Sequence, residues 1–265
     1  MNAPIGVIDS GVGGLTVAKE IMKRLPNETI YYIGDTARCP YGPRSRQEVR
    51  NFTWQMAKAL EKMNVKMLVI ACNTATAVAL ESLQRNMPFP VLGVINAGAR
   101  AAVKKTKRHE VVVLATEGTI KSGAYEEALL SLNTSTHIIP LACPTFVPLV
   151  ESGEYKGDFA NNLIAEGLKP LKNRQFDTVI LGCTHYPILQ KQIEAVVGED
   201  VNVLSSAEET AKDVQEMLAY NGTLANANAV PAHKFFATGS VPIFRSIAEN
   251  WLEQGTLDIK RITLK

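Results

Sequence analysis

Met67-Leu-Val-Ile-Ala-Cys72-Asn-Thr-Ala75 and Thr178-Val-Ile-Leu-Gly-Cys183-Thr-His-Tyr186 share one pattern. Each is a short apolar run, then a small residue, a cysteine, a polar residue and a stretch of helical character. An apolar run without polar alternation reads as a strand buried on both faces, as in parallel sheets covered by helices. A cysteine just past such a strand stands where open α/β sheets bind their ligands, beyond the carboxyl ends of the strands. Finding the pattern twice points to two similar halves, each with one strand that leads into a cysteine.

A second matched pair runs alongside the first. Ile5-Gly-Val-Ile-Asp9-Ser-Gly11 resembles Val111-Val-Val-Leu-Ala115-Thr-Glu-Gly118, and the interval from Asp9 to Cys72 nearly equals that from Thr116 to Cys183. Strand-like runs are also read at 30–33, 67–71, 91–94, 137–140, 178–182, 201–204 and 234–237. Helical stretches fill the gaps. Ser45-Arg-Gln-Glu48 has the form of a capping box and places a helix start near residue 45. The apolar residues Phe52, Met56, Ala59, Leu60 and Met63 follow it at helical spacing. Strand and helix alternating in this way predict an α/β fold of βαβ units with mainly parallel sheets. No long Gly/Ser linker is present, so the halves must be joined by short crossovers.

The bulk properties narrow the function classes. The chain has 265 residues, 46% hydrophobic and 20% charged, which is the profile of a folded globular protein. Lys and Arg number 28 against 26 Asp and Glu, a balance that gives no reason to expect nucleic-acid binding. The basic cluster Lys104, Lys105, Lys107 and Arg108 reads as a solvated helix end. There is no basic segment leading into an apolar signal core, and no run approaches the ~18 apolar residues of a membrane span. The four cysteines, Cys39, Cys72, Cys143 and Cys183, form no C-x-x-C pair, so neither a disulfide framework nor a zinc site is expected. A cytoplasmic location, where thiols stay free, is the expectation.

If the halves face each other about a pseudo-twofold axis, Cys72 and Cys183 meet in one site, able to act as acid and base on opposite faces of a small substrate. Asn73, Thr74, Thr184 and His185 are expected at helix starts, where side chains and free amides can hold a carboxylate. The helix dipole is expected to favour a thiolate at both cysteines. Ser10-Gly-Val-Gly-Gly14 has Thr16 where a dinucleotide loop needs its third glycine, and no phosphate-loop lysine follows. It is read as a nest of backbone amides for a small anion. His185 is a candidate proton carrier, whereas His109, His137 and His233 have no such setting. The loop from Asp35 to Pro43, containing Cys39, could line a substrate entrance. Cys143 is read as structural, and no metal-ligand spacing is found. The residues alone leave open a thiol redox protein, a thiol hydrolase and a two-lobed binding module.

Several segments closely resemble the glutamate racemase family, within the wider aspartate/glutamate racemase superfamily. They are Val7-Ile-Asp9-Ser10-Gly-Val-Gly-Gly-Leu-Thr16, Pro40-Tyr41-Gly42, Ala71-Cys72-Asn73-Thr74-Ala75, Leu149-Val-Glu151 and Gly182-Cys183-Thr184-His185-Tyr-Pro187. The resemblance runs from about residue 5 to about 240 with no departure at a motif position. It implies two similar α/β domains with the active site in the cleft between them. The first domain would be discontinuous, 1–97 plus 207–265, carrying Cys72, and the second would be 98–206, carrying Cys183. It implies a cofactor-independent racemase that interconverts L- and D-glutamate and supplies D-glutamate for peptidoglycan. Cys72 would take the α-proton of D-glutamate and Cys183 that of L-glutamate. Asp9 would assist the first thiol, and His185 and Glu151 the second. Asp9-Ser10, Tyr41-Gly42, Asn73-Thr74 and Thr184-His185 would bind substrate, with a hydroxyl from Thr116 or Thr119. A homodimer is a further expectation.

The chemistry fits these residues. Removing a weakly acidic Cα proton and returning one from the other side calls for two groups, because one base does not easily reach both faces. A free thiol ionises near 8.5, so it can serve as acid or base with modest tuning, and two such thiols titrate as a pair.

Overall fold

The structure is a computed structural model that describes residues 2–253 and 255–264. The chain opens with β1 (Ile5–Asp9), α1 (Leu15–Arg24), β2 (Ile30–Gly34), α2 (Arg46–Lys62), β3 (Met67–Ile70), α3 (Asn73–Asn86) and β4 (Val91–Gly93). Helix α4 (Val94–Lys105) then crosses to a second sheet. That part holds β5 (Glu110–Ala115), α5 (Glu117–Ser122), α6 (Ala124–Leu132), β6 (His137–Ala142), α7 (Phe146–Glu151), α8 (Asp158–Leu168), β7 (Thr178–Gly182), α9 (Gln190–Val197) and β8 (Asn202–Ser205). Helix α10 (Ala207–Tyr220) returns, and β9 (Lys234–Ala237), α11 (Val241–Leu252) and β10 (Ile259–Arg261) complete the first part.

Two parallel sheets result. The first has the order β10-β9-β2-β1-β3-β4 and the second β6-β5-β7-β8. The run β2-β1-β3-β4 is repeated as β6-β5-β7-β8, so the sequence repeat is also a repeat of topology. The strand register corrects its alignment by one residue. Ile8 pairs with Ile70 and Leu114 with Leu181, which equates Asp9 with Ala115 and Ser10 with Thr116.

The central strands β1, β3, β5 and β7 are almost wholly apolar because both faces are covered. In β1, Ile5 and Val7 enter the core beneath α1, α10 and α11, while Ile8 enters the opposite core beneath α2 and α3. In β5, Val112 and Leu114 face the side of α7, α8 and α9, and Val111 and Val113 face the side of α4 and α6. Each such side chain contributes ~1.5–3 kcal/mol of burial, so a one-residue slip, which would exchange the faces, is resisted along the whole strand. Strand β6 is an edge and is partly exposed, and it tolerates Pro140 in mid-strand.

The Ser45 capping box forms as expected, with Glu48 closing it. The face α2 buries is Val49, Thr53, Met56, Ala57 and Leu60, with Phe52, Ala59 and Met63 at its margin. Lys104 and Lys105 do end a helix, and both are exposed. Val94 opens α4 rather than closing β4. Strand β10 was not foreseen.

Candidate active site

Strand β1 ends at Asp9, which is 0% exposed. Its Oδ1 accepts from the Gly11 amide at 3.0 Å, and its Oδ2 accepts from the Thr184 hydroxyl of the second lobe at 3.2 Å. The glycine-rich amide nest is therefore directed, through Gly11 and Gly14, at this chain's own carboxylate. Burial pushes the Asp9 carboxyl above its usual range, opposed by the nearby His185 charge, the Gly14 and Gly11 amides and the Thr184 hydroxyl.

Strand β3 leads through Ala71 to Cys72, the cap residue of α3, whose Sγ accepts from the Ala75 amide at 3.5 Å. The expected thiolate bias is reversed here. Burial pushes the Cys72 thiol up to about 12, the Asp9 charge adds to it, and the Ala75 amide and Ser10 hydroxyl offset only part. One amide and a helix terminus do not replace the water that a thiolate loses.

Strand β7 runs directly into Cys183, and here no α-helix begins. Thr184 and His185 lie in a turn, a single 3₁₀ turn follows at Tyr186–Leu189, and only then does α9 start. The turn aims His185 back at the thiol, with Nδ1 at 3.8 Å from Cys183 Sγ. On its other side Nε2 lies 2.6 Å from Oε1 of Glu151, at the end of α7. His185 is 2% exposed. Burial alone would depress its ionisation, but the hydrogen bonds to Cys183 and Glu151 outweigh that and push it up to about 10. These contacts favour the charged form of the ring. Gly13 makes room for this turn: a Cβ there would stand 2.5 Å from His185 Nδ1.

The loop between β2 and α2 brings Tyr41 and Gly42 to the same place. Asp35, fully buried, takes the Tyr41 hydroxyl, Nε of Arg38 at 2.7 Å and the Thr238 hydroxyl at 2.8 Å. The Gly42 carbonyl accepts from the Gly118 amide of the second lobe at 3.1 Å. Thr74, Thr116 and Thr119 form a triangle of hydroxyls across the lobes, with separations of 2.9, 3.1 and 3.1 Å. Asn73 Oδ1 accepts from the Tyr125 hydroxyl, again across the lobes, at 2.8 Å.

These contacts enclose one small pocket lined by both Cys72 and Cys183. Ser10, Tyr41, Gly42, Asn73, Thr74, Thr116, Thr184 and His185 line it as well, joined by Pro40, Val147 and Gly182. Asp9, Glu151 and Thr119 stand one hydrogen bond behind the lining. The centre of a water-sized sphere can move through only about 20 Å³ of it. A far larger open cleft, about 1000 Å³, lies elsewhere between the lobes beside Lys19, Lys104 and Trp251, and it contains neither Cys72 nor Cys183. Cys143 is buried in the second core, in keeping with a structural place.

Cys39, Glu151 and His185 bring three metal-binding atoms within 4.8 Å of one another. His185 Nε2 and Glu151 Oε1 already satisfy each other at 2.6 Å. Two ligands of one tetrahedral zinc stand ~3.3 Å apart, given bonds of ~2.0 Å. The trio is better described as part of a hydrogen-bonded chain, Cys39 to Glu151 to His185 to Cys183, that crosses from one lobe to the other. Sequence reading missed Asp35 as the anchor of the Tyr41 loop, Tyr125 as the partner of Asn73, and Val147. No motif marks them: Tyr125 meets Asn73 only through the fold, and Asp35 meets Tyr41 inside a loop whose shape no pattern announces.

The family described as Asp/Glu/hydantoin racemase matches residues 5–214. A glutamate racemase of Lysinibacillus sphaericus (strain C3-41) is 96% identical over 265 residues, the whole of both chains. Among solved structures, a glutamate racemase isoform from Bacillus anthracis shares 48% identity, with a TM-score of 0.95 over 99% of this chain and 98% of that one. A glutamate racemase from Francisella tularensis subsp. tularensis, solved in complex with D-glutamate, shares 35% identity, with a TM-score of 0.92 over 99% of this chain and 98% of its own. The matched family, the full-length relative and the shared fold agree, and the chain belongs to the Asp/Glu/hydantoin racemase family and, within it, to the glutamate racemases, which are isomerases.

Proposed function

We propose that the enzyme interconverts L- and D-glutamate by a two-base mechanism in which Cys72 takes the α-proton of D-glutamate and Cys183 that of L-glutamate. The observation that carries this reading is that two cysteines, one beyond each of two equivalent strands, line a single small pocket. The D-glutamate held by the Francisella relative supports the substrate. No organic cofactor or metal is assigned a step.

Each side of the pocket has its own proton machinery. Cys72, held protonated by burial and by Asp9, is the acid of the pair. The substrate ammonium, held at the pocket wall in front of Asp9, would offset the charge that helps hold this proton and let Cys72 serve as base in the reverse direction. On the other side, His185 faces Cys183 through Nδ1 and is anchored through Nε2 by Glu151. Ser10, Tyr41, Gly42, Asn73, Thr74, Thr116, Thr184 and His185 supply the donors that hold the two carboxylates and stabilise charge as the carbanion develops, with Thr119 acting through Thr74 and Thr116.

The remaining parts of the reading concern context. The first domain comprises 1–97 plus 207–265 and the second 98–206, with α4 and α10 as the crossings between them. Among the described residues no helix is long and apolar enough to cross a membrane, and the four cysteines are free. Cytoplasmic work, supply of D-glutamate for peptidoglycan, and a homodimer complete the proposal. Incubating each glutamate enantiomer in deuterated water, followed by circular dichroism and mass spectrometry, tests the reaction. Inversion with solvent deuterium at Cα of the product is expected. Inversion of aspartate but not glutamate would refute the substrate.

A further inference from the structure

We infer that Tyr125 is a positioning residue for substrate binding: it holds the oxygen of the Asn73 amide from across the cleft and thereby presents the amide nitrogen to the ligand. The inference rests on the reading of Asn73 as a substrate-binding residue.

An asparagine amide has an acceptor end and a donor end of nearly the same shape, and only the partner of one end decides which way it faces. In Asn73 the oxygen accepts from the Tyr125 hydroxyl at 2.8 Å, and both residues are 3% exposed. The nitrogen is buried with no hydrogen-bond partner, and Asn73 lines the pocket between the cysteines. An unpaired buried donor is costly, and a carboxylate oxygen removes that cost when it arrives. The flipped amide would aim its oxygen at an anionic ligand, acceptor against acceptor. A flipped amide would donate to the Tyr125 oxygen and strand the tyrosine's own proton, so by donating to Asn73 Oδ1 Tyr125 selects the orientation that binds.

The tyrosine is itself held firmly. It comes from α6 in the second lobe, whereas Asn73 begins α3 in the first. Its ring lies in a slot made by two glycines. A Cβ on Gly98 would stand 2.9 Å from the hydroxyl, and one on Gly182, the residue before Cys183, 3.0 Å from the ring. The bond spans the two lobes, so the donor is set when the lobes are closed on each other. Substrate grip and closure are thereby linked through a residue that does not line the pocket.

The test is a double-mutant cycle on the full-length enzyme, with kcat and KM measured for each glutamate enantiomer and Tm for each variant. Tyr125→Phe keeps the ring in its slot and is expected to raise KM about 3- to 10-fold, the range for one neutral hydrogen bond, with a smaller change in kcat. Asn73→Ala is expected to raise KM by more, and adding Tyr125→Phe to it should change nothing further. If Tyr125→Phe raises KM by the same factor with and without Asn73, or lowers Tm while leaving KM at the parental value, the positioning role is overturned. If Asn73→Ala itself binds glutamate as the parent does, the reading of Asn73 fails and the inference with it. The two failures are told apart by the Asn73→Ala variant alone.

Discussion

The Nε2 atom of His185 and the Oε1 atom of Glu151 lie 2.6 Å apart, and this pair, with Cys183 on the other side of the ring, favours the charged form of the imidazole. With its ionisation raised to about 10, against ~6.5 in an unfolded chain, the imidazolium contributes stability that is fully present below about 6.5 and is lost as pH rises through about 10. Glu151→Gln removes one of the two supports that oppose burial. The Tm difference between parent and variant should therefore be largest at pH 6 and fade towards pH 10.5. The rate should fall by about 10²-fold, the lower end of what a positioned acid–base group supplies. Because the enantiomers have equal free energy in water, kcat/KM must fall equally in both directions. Unequal loss can appear only in kcat and KM taken separately, which polarimetric progress curves from each enantiomer resolve.

Cys72→Ser and Cys183→Ser should each abolish racemisation, because a serine hydroxyl is far too weak an acid to replace a thiol in this exchange. Each variant keeps one base. Because a thiol carries a single proton and the shut pocket has little room for water, each variant should return the hydrogen it takes, leaving glutamate neither inverted nor deuterated at Cα. Proton NMR of the α-hydrogen in deuterated water reads this directly. A variant that inverts glutamate at near-parental rate would refute the two-base scheme.

Asp9→Asn should trade activity for stability. Because the folded carboxyl is raised, its contribution is favourable only below ~3.9 and is a cost at neutral pH, where the buried group must ionise. An amide removes that cost, and for a chain of this size each kcal/mol is worth ~2–4 °C in Tm. The same change withdraws a charge that holds the Cys72 thiol near 12. Alkylation of Cys72, mapped by mass spectrometry across pH, should begin at lower pH in the variant, while racemisation slows.

Asp35→Asn should loosen the Tyr41-Gly42 loop. Asp35 accepts from Arg38 Nε, and the buried Arg38 Nη2 has no partner, so the substitution leaves a half-buried cation held only by Gln55 Oε1 and the Phe52 ring. A loss of about 3 kcal/mol is expected, read by denaturant unfolding. KM for glutamate should rise with it, since Tyr41 and Gly42 lose their anchor.

What the sequence disclosed depended on whether the cause was local. Strands such as β3 and β7 were legible because burial on both faces leaves a continuous apolar run. Strand β10 was not, because an edge strand of three residues ending in exposed Lys260 and Arg261 carries no such signature. The paired cysteines were legible because the repeat is written twice. The repeat's alignment was off by one residue, since only the pairing of Ile8 with Ile70 and Leu114 with Leu181 sets the register. The thiolate expected at Cys72 failed because a helix start can be read from sequence, whereas exclusion of water by a second lobe cannot. Tyr125 was passed over for the same reason, since it acts on Asn73 of the other lobe, whereas Asp35 acts on Tyr41 within one loop whose shape the sequence does not announce.

The smallness of the pocket has a consequence for the hydrogens themselves. Under the proposed two-base scheme, and with so little free space in the pocket that both thiols line, a hydrogen taken from glutamate has nowhere to go while the lobes are shut. It leaves the reaction on sulfur, not in solvent. If the next molecule to arrive is the opposite enantiomer, that same hydrogen is the one delivered to its Cα. Label can thus pass from one substrate molecule to another, and the fraction lost to water on the way is a clock for how long the cleft stands open between turnovers.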